Sequence, residues 1–336
     1  MPGSVLPGIA FPINQSEVTA DCAGIMGKSV IYSAMRHETM DEVPWVPFAG
    51  VHAGLLKGYT AKEVLTDGDK LFDSLMEVCR LYTPDGMPVV FDLQIEAEIL
   101  GCDLLWAEDN PPSVMSHPFA VEKVPLNDAH IPCESDGRIP MVLDVMRRAK
   151  AAAGDGVALY GLVCGPLTLA SHLRGSDFFM DIVEDPEYVE ELLSYCTRVC
   201  KKMSDMYIDA GMDVIAIVDP LVSQVSARHF ERLLSPHFSE CFSHIHEKGA
   251  FSSFFVCGNA TKQIEVMCKT APDSISIDEN VDIAEAKKIT DKYNIAIGGN
   301  IPLTTTMLFG NQKDNMKYVV DLLYKMDNHN LIISPG

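Results

Sequence analysis

Residues 252–259 read Ser-Ser-Phe-Phe-Val-Cys-Gly-Asn. A β-rich apolar run breaks off at Gly258-Asn259, and a helical pattern follows from Thr261. This is the punctuation of a βα unit: a buried strand, a turn, then a helix. Side chains alternate along a strand, so positions 255 and 257 share one face. Cys257 stands at the C-terminal end of that strand, where α/β barrels carry their chemistry. A His at position 255 would make His-x-Cys, two zinc ligands side by side; this chain has Phe255.

The same rhythm runs outward in both directions. Eight short apolar runs carry the strand signature: 43–48, 87–92, 158–165, 214–219, 252–258, 274–278, 295–300 and 331–335. Helical patterns fill the gaps at 69–82, 166–172, 184–206, 227–247, 261–270, 283–293 and 312–326. Thr60 and Glu63 have the spacing of a capping box, Asp69 is placed to cap the next helix, and Pro166 suits a first turn. Alternating βα units imply a parallel sheet with right-handed crossovers, and eight of them imply a closed (β/α)8 TIM barrel. A doubly wound open sheet is the alternative. Residues 101–138, rich in Pro and short polar residues, break the rhythm and read as an insertion over the C-terminal face. Residues 1–27 read as a lead-in segment and 28–336 as the barrel domain. The eighth strand ends at Pro335-Gly336, so the last helix of the barrel is expected to be missing.

The chain has 336 residues, is 47% hydrophobic and carries a net charge of −21. No apolar run approaches the ~18 residues of a transmembrane helix, and no secretory signal is visible. The charge argues against nucleic acid and anionic membranes as partners, and disfavours a polyanionic substrate unless Arg residues gather locally. Ten cysteines are scattered without C-x-x-C spacing. Free buried thiols in a cytoplasmic protein, or in an anaerobe, are the expectation, with Cys257 set apart by its position.

Read at their C-terminal ends, the strands deliver Phe48-Ala49-Gly50, Asp92, Gly165-Pro166, Asp219-Pro220, Cys257-Gly258-Asn259, Asp278-Glu279 and Gly299-Asn300. Asp and Asn also cap helices and make turns, so each has a plain alternative reading. Together they suggest one mouth. His52 lies in the loop after the first strand. His172, one turn into the helix after Gly165-Pro166, reaches the mouth or packs as a core histidine. Glu96 follows Asp92 and forms an alternative metal pair with His117 or a surface network. His244 and His246 precede the fifth strand and belong to the opposite face.

These residues in this order resemble the uroporphyrinogen decarboxylase superfamily, and within it the corrinoid-dependent methyltransferases of the methylcobalamin:coenzyme M type. The resemblance rests on Phe91-Asp92-Leu93 with Glu96-Ala97-Glu98, Ser116-His117-Pro118, Gly165-Pro166-Leu167-Thr168, Asp219-Pro220, Cys257-Gly258-Asn259, Ser276-Ile277-Asp278-Glu279, Gly299-Asn300 and Ile333-Ser334-Pro335-Gly336. It implies a methyl group moving between a small methylated donor, or a thiol acceptor, and the cobalt of a corrinoid (cobalamin) carried by a partner protein. It implies Asp92, Asp219, Glu96 and Asn259 as catalytic residues. Phe255, His172, Asp278, Asn300 and His52 become substrate-binding residues, and Cys257 a zinc ligand. The zinc set of that branch is the His and Cys of His-x-Cys-Gly plus a Cys directly after Ser-Pro-Gly. Only Cys257 is present here, and one thiolate cannot hold a tetrahedral zinc. A homodimer is among the assemblies allowed. Two alternatives stay open. One is uroporphyrinogen decarboxylase itself, although the loop 48–54 has no Arg to clamp the substrate's carboxylates. The other is a non-catalytic binding member.

Overall fold

Short runs of apolar residues without internal polar breaks become strands buried on both faces. In the computed structural model, which describes residues 27–336 other than 124–125, 127–128 and 154–155, seven strands form one parallel sheet. They are β1 (Gly86–Val90), β2 (Ala158–Cys164), β3 (Val214–Val218), β4 (Phe251–Val256), β5 (Ser274–Ile277), β6 (Ala296–Ile301) and β7 (Leu331–Pro335). Their spatial order is their chain order. The expected lead-in, apart from Gly27, lies outside the described residues.

The run 43–48 does not make the expected first strand. It contributes a single parallel bridge, Trp45 to Ile333. Pro44 and Pro47 have no N–H to give to a ladder, and the Trp45 N–H goes to Asp85 Oδ2 at 2.7 Å. What remains is a short seam between the two edges of the curled sheet. Val46 N donates to Ile333 O at 2.9 Å, Ile333 N to Pro44 O at 2.8 Å, and Asp85 N to Trp45 O at 3.0 Å.

Alternation along each strand divides the core in two. Leu159, Ile215, Ile217 and Phe254 join the large cluster under the helices. Tyr160, Ala216, Val218 and Phe255 join a smaller cluster on the other face. Helix α1 (Gly27–Met35) closes the N-terminal end of that smaller cluster with Ile31, Ala34 and Met35. It is pinned there by Asp213, which accepts from Lys28 at 2.8 Å, Lys150 at 3.1 Å and the Tyr32 hydroxyl at 3.0 Å.

The helices follow the expected gaps with local differences. Thr60 and Glu63 do form a capping box. The cap of α2 (Gly68–Tyr82) is Asp67, not Asp69: Asp67 accepts from the N–H groups of Asp69 and Lys70. The single helix expected over 227–247 is interrupted by a π-turn at Phe230–Leu234. The insertion forms a two-stranded antiparallel ribbon, Leu104–Leu105 with Ser113–Val114. It is fastened to the side of α3 (Pro166–Arg174): Phe119 N donates to Leu173 O, and Arg174 Nη1 donates to Phe119 O and Ala120 O. Among the described residues no helix is long and apolar enough to cross a membrane. The described cysteines are free, and all are buried except exposed Cys133 and half-buried Cys257.

The capping assignment is testable. Asp67→Ala should destabilise the protein by about 1 kcal/mol in urea unfolding, and Asp69→Ala by less than about half of that. The reverse order would restore the cap to Asp69.

Candidate active site

Three adjacent strands bring Phe255, Cys257, Asp278 and Asn300 together. Phe255 pairs with Ser276 across β4 and β5, and Ser276 with Gly298 across β5 and β6. Two residues further along each strand, on the same face, stand Cys257, Asp278 and Asn300. Asp278 Oδ2 accepts from Gly258 N at 2.8 Å, and its Oδ1 accepts from Asn280 N at 2.8 Å. Asn300 Nδ2 donates to Asp278 O at 3.0 Å and to Val281 O at 2.7 Å. Gly258 sits at φ +76°, and a Cβ there would lie 2.9 Å from Ser223 Oγ, so this turn needs glycine.

Beneath this row lies an aromatic floor. Phe255, 7% exposed, packs edge to face against Phe48 at 5.0 Å and Phe91 at 5.9 Å between ring centroids. Phe48 also meets Tyr160 at 5.7 Å. Such pairs add roughly 0.5–1.5 kcal/mol beyond area burial. Cys257 borders the floor. Burial first, then the negative charges of Asp278 and Asp219, push its thiol up to about 11. At neutral pH the sulfur keeps its proton.

Zinc does not fit this arrangement. The position facing Cys257 along the strand is a phenyl ring, and the described residues hold no group of three or more His, Cys, Asp or Glu able to bind a metal ion.

The other expected carboxylates are engaged elsewhere. Asp219, fully buried, caps α3 by accepting from Leu167 N at 2.9 Å, Thr168 N at 3.2 Å and Thr168 Oγ1 at 2.6 Å. Burial lifts its carboxyl to about 6 even against these donors. Asp92 pairs with Arg138 Nη1 at 2.6 Å and accepts from Gln94 N at 2.9 Å. Arg138 also donates to Glu98 at 2.7 Å and to Leu65 O at 3.1 Å. Glu96, 1% exposed, accepts from Cys164 N at 3.0 Å. Asn259 is exposed, and its amide oxygen closes a turn onto Thr261 N at 3.2 Å and Thr261 Oγ1 at 2.7 Å.

The histidines divide in the same way. His52 Nε2 meets the Tyr82 hydroxyl at 2.9 Å and lines a separate apolar pocket of about 520 Å³ with Trp45, Phe48 and Pro335. His172 borders a pocket of about 510 Å³ with Gln94 and His117. Burial and the neighbouring His117 lower its pKa to about 4. His117 Nδ1 bonds to His172 O at 2.7 Å, not to Glu96. His246 meets Asp273 and Ser252 at the start of β4, at the opposite face. Phe48 is at the site as its strand-end position suggests, whereas Arg138 was missed by sequence reasoning. Arg138 ends an irregular segment whose path has no periodic signal.

A parallel α/β sheet with polar residues gathered at its strand C-termini defines a class of enzyme-bearing scaffolds. A family model for Uroporphyrinogen decarboxylase (URO-D) matches residues 26–336, and the chain belongs to that family. It is 26% identical over 298 residues to the methylcobamide:CoM methyltransferase MtbA of Methanosarcina acetivorans, covering 85% of this chain and 86% of that one. It is 22% identical to the uroporphyrinogen decarboxylase of Nostoc punctiforme, over 80% of this chain and 76% of the relative. Among solved structures, a methyltransferase from Methanosarcina mazei shares the fold with a TM-score of 0.84, covering 93% of each chain at 22% identity.

Replacing Asp278 with Asn keeps an acceptor for Gly258 N and removes the charge. The Cys257 thiol should then titrate below about 11, read as thiolate absorbance against Cys257→Ser. An unchanged midpoint would remove Asp278 from the site's electrostatics.

Proposed function

We propose that this protein transfers a methyl group from a small methylated donor to the cobalt of a corrinoid held on a separate protein, with a thiol acceptor in the reverse sense as the variant reading. The methylcobamide relatives support the kind of reaction. The observation that carries the direction is Phe255 beside a protonated Cys257, where a thiol-activating zinc set would need a ligand. We also read the sheet as a TIM barrel whose seam is the Trp45 segment, in a cytoplasmic protein, with a homodimer allowed.

In this reading the donor's methyl group lies over the Phe48, Phe91 and Phe255 floor. A reduced corrinoid on the partner would supply the nucleophile for the methyl carbon. The electron pair of the broken carbon–heteroatom bond stays with the heteroatom, which takes the Cys257 proton. The thiolate is then reprotonated from solvent. Asp278 disfavours that thiolate and so drives its return to the thiol. Asn300 anchors the Asp278 loop. A quaternary ammonium donor leaves as a neutral amine and needs no acid; an ether or thioether does.

Uroporphyrinogen decarboxylation fits less well. Its substrate carries many carboxylates, and the Arg that reaches the strand ends, Arg138, is already paired with Asp92 and Glu98.

The test is cobalt methylation by donors of each kind, using a corrinoid protein reduced to Co(I). Cys257→Ala should slow transfer from a methyl ether or thioether by roughly 100-fold or more, and leave a quaternary ammonium donor within a few fold. Equal losses with both donors would remove the acid role from Cys257. No methylation by any donor, and no demethylation of the methylated corrinoid by a thiol, would sink the reading.

A further inference from the structure

Behind the Asp92 turn, three buried polar atoms have no hydrogen-bond partner: Glu96 Oε2, Arg138 Nη2 and the Tyr207 hydroxyl. They arrive on separate elements. Glu96 belongs to the short helix Ile95–Ile99, Arg138 precedes the helix Ile139–Ala153, and Tyr207 lies on the helix Pro186–Asp209. Tyr207 is within electrostatic reach of Glu96, Asp92 and Arg138, and Glu96 within reach of Asp92 and Arg138. Tyr207 is held by packing: a Cβ on Gly161 of β2 would lie 2.9 Å from its ring. The other oxygen of Glu96 is fixed by Cys164 N at 3.0 Å. An acceptor, a donor and a hydroxyl, each buried and within electrostatic reach of the others, are the kind of partner set an internal water takes. Leaving each unmade costs the desolvation of that group.

We propose that Glu96, Tyr207 and Arg138 enclose an internal water site in which Glu96 keeps its proton, and that this set holds the Asp92 turn, and with it Phe91, in place. The charges facing Glu96 explain why the proton stays. Asp92 faces it from the turn and Arg138 from the next helix start. Tyr207 and the Cys164 thiol, both raised by burial, are neutral. One guanidinium already serves Asp92 and Glu98, so an ionised Glu96 would be a third carboxylate within its reach in a space closed to bulk solvent. Burial, partly offset by the Cys164 N–H, accordingly raises the Glu96 carboxyl to about 7. Glu96 is thereby a positioning residue, and the inference stands whether or not the methyl-transfer reading does.

The sign follows from linkage. The folded protein holds this proton more tightly than the unfolded chain. The benefit is complete below the ordinary glutamate range and is lost as pH rises through about 7. Urea unfolding of the full chain from about pH 5 to about pH 8 tests it. Relative to Glu96→Gln, the wild type should lose about 70-fold in its folding equilibrium constant over that range, for a carboxyl moving from 4.5 to about 7. Asp219, also raised, contributes equally to both and cancels. Tyr207→Phe should keep the slope and move its midpoint upward, because ionised Glu96 loses a donor. An infrared difference spectrum, wild type minus Glu96→Gln, should carry a carboxylic-acid carbonyl band below the midpoint and lose it above. If Glu96→Gln does not fold, the pH dependence of that band in wild type labelled with carbon-13 glutamate decides. Parallel stability profiles, or no protonated-carboxyl band below about pH 6, overturn the proton-holding role. An unmoved midpoint in Tyr207→Phe overturns the shared site.

Discussion

The seam at Trp45 is the constraint from which the site follows. Its carbonyl accepts from Asp85 at the start of β1, while Val46 and Pro44 exchange hydrogen bonds with Ile333 of β7. Two prolines keep this contact short, yet it ties both edges of the sheet to one segment. That segment delivers Phe48 to within 5.0 Å of Phe255, which comes from the middle of the sheet. Without the seam, nothing would carry Phe48 from the sheet edge to Phe255, and the aromatic floor beside Cys257 would lose one of its rings. Packing at the floor and hydrogen bonding at the edge are therefore one device.

A second division runs between the two faces of the strand ends. On the floor side, Cys257, Asp278 and Asn300 stand above aromatic rings. On the helix side, Asp219 caps α3 and Asp92 holds Arg138. Both helix-side carboxylates are almost wholly buried, and a buried carboxylate persists only with donors or a cation around it. Their partners are already supplied by the scaffold, so they brace the loops that carry the floor. Asp278, like Asp219 and unlike Asp92, is held by neutral donors with no cation, and so keeps a field that Cys257 feels.

Much of this was legible in the sequence because it depends on period and punctuation. Seven strands could be read from apolar runs ending in Gly, Asp, Asn or Pro, and Phe255, Cys257, Asp278 and Asn300 follow from counting along them. The run 43–48 looked like a strand because hydrophobicity dominates the pattern, whereas the two missing N–H groups decide the pairing. Asp67 and Asp69 are both plausible caps by composition, and only the extended backbone of Asp67 selects it. Arg138 could not be placed, since an irregular segment carries no period to say where its last residue lands. The orphaned atoms of Glu96 and Tyr207 are likewise a property of three-dimensional closure.

The pairing of Phe255 with Cys257 then takes on a specific meaning. A buried thiolate needs a metal, a cation or hydrogen-bond donors, and the neighbours of Cys257 are aromatic rings and carboxylates instead. Those neighbours raise the thiol, and a raised thiol keeps its proton through the neutral range. A residue that sits where a metal ligand is expected, and whose surroundings all favour the protonated form, gives up its proton only to an atom more basic than its own thiolate. The same substitution that removes one chemistry from the family's site thus leaves the residue fitted to another, on the same strand and at the same depth.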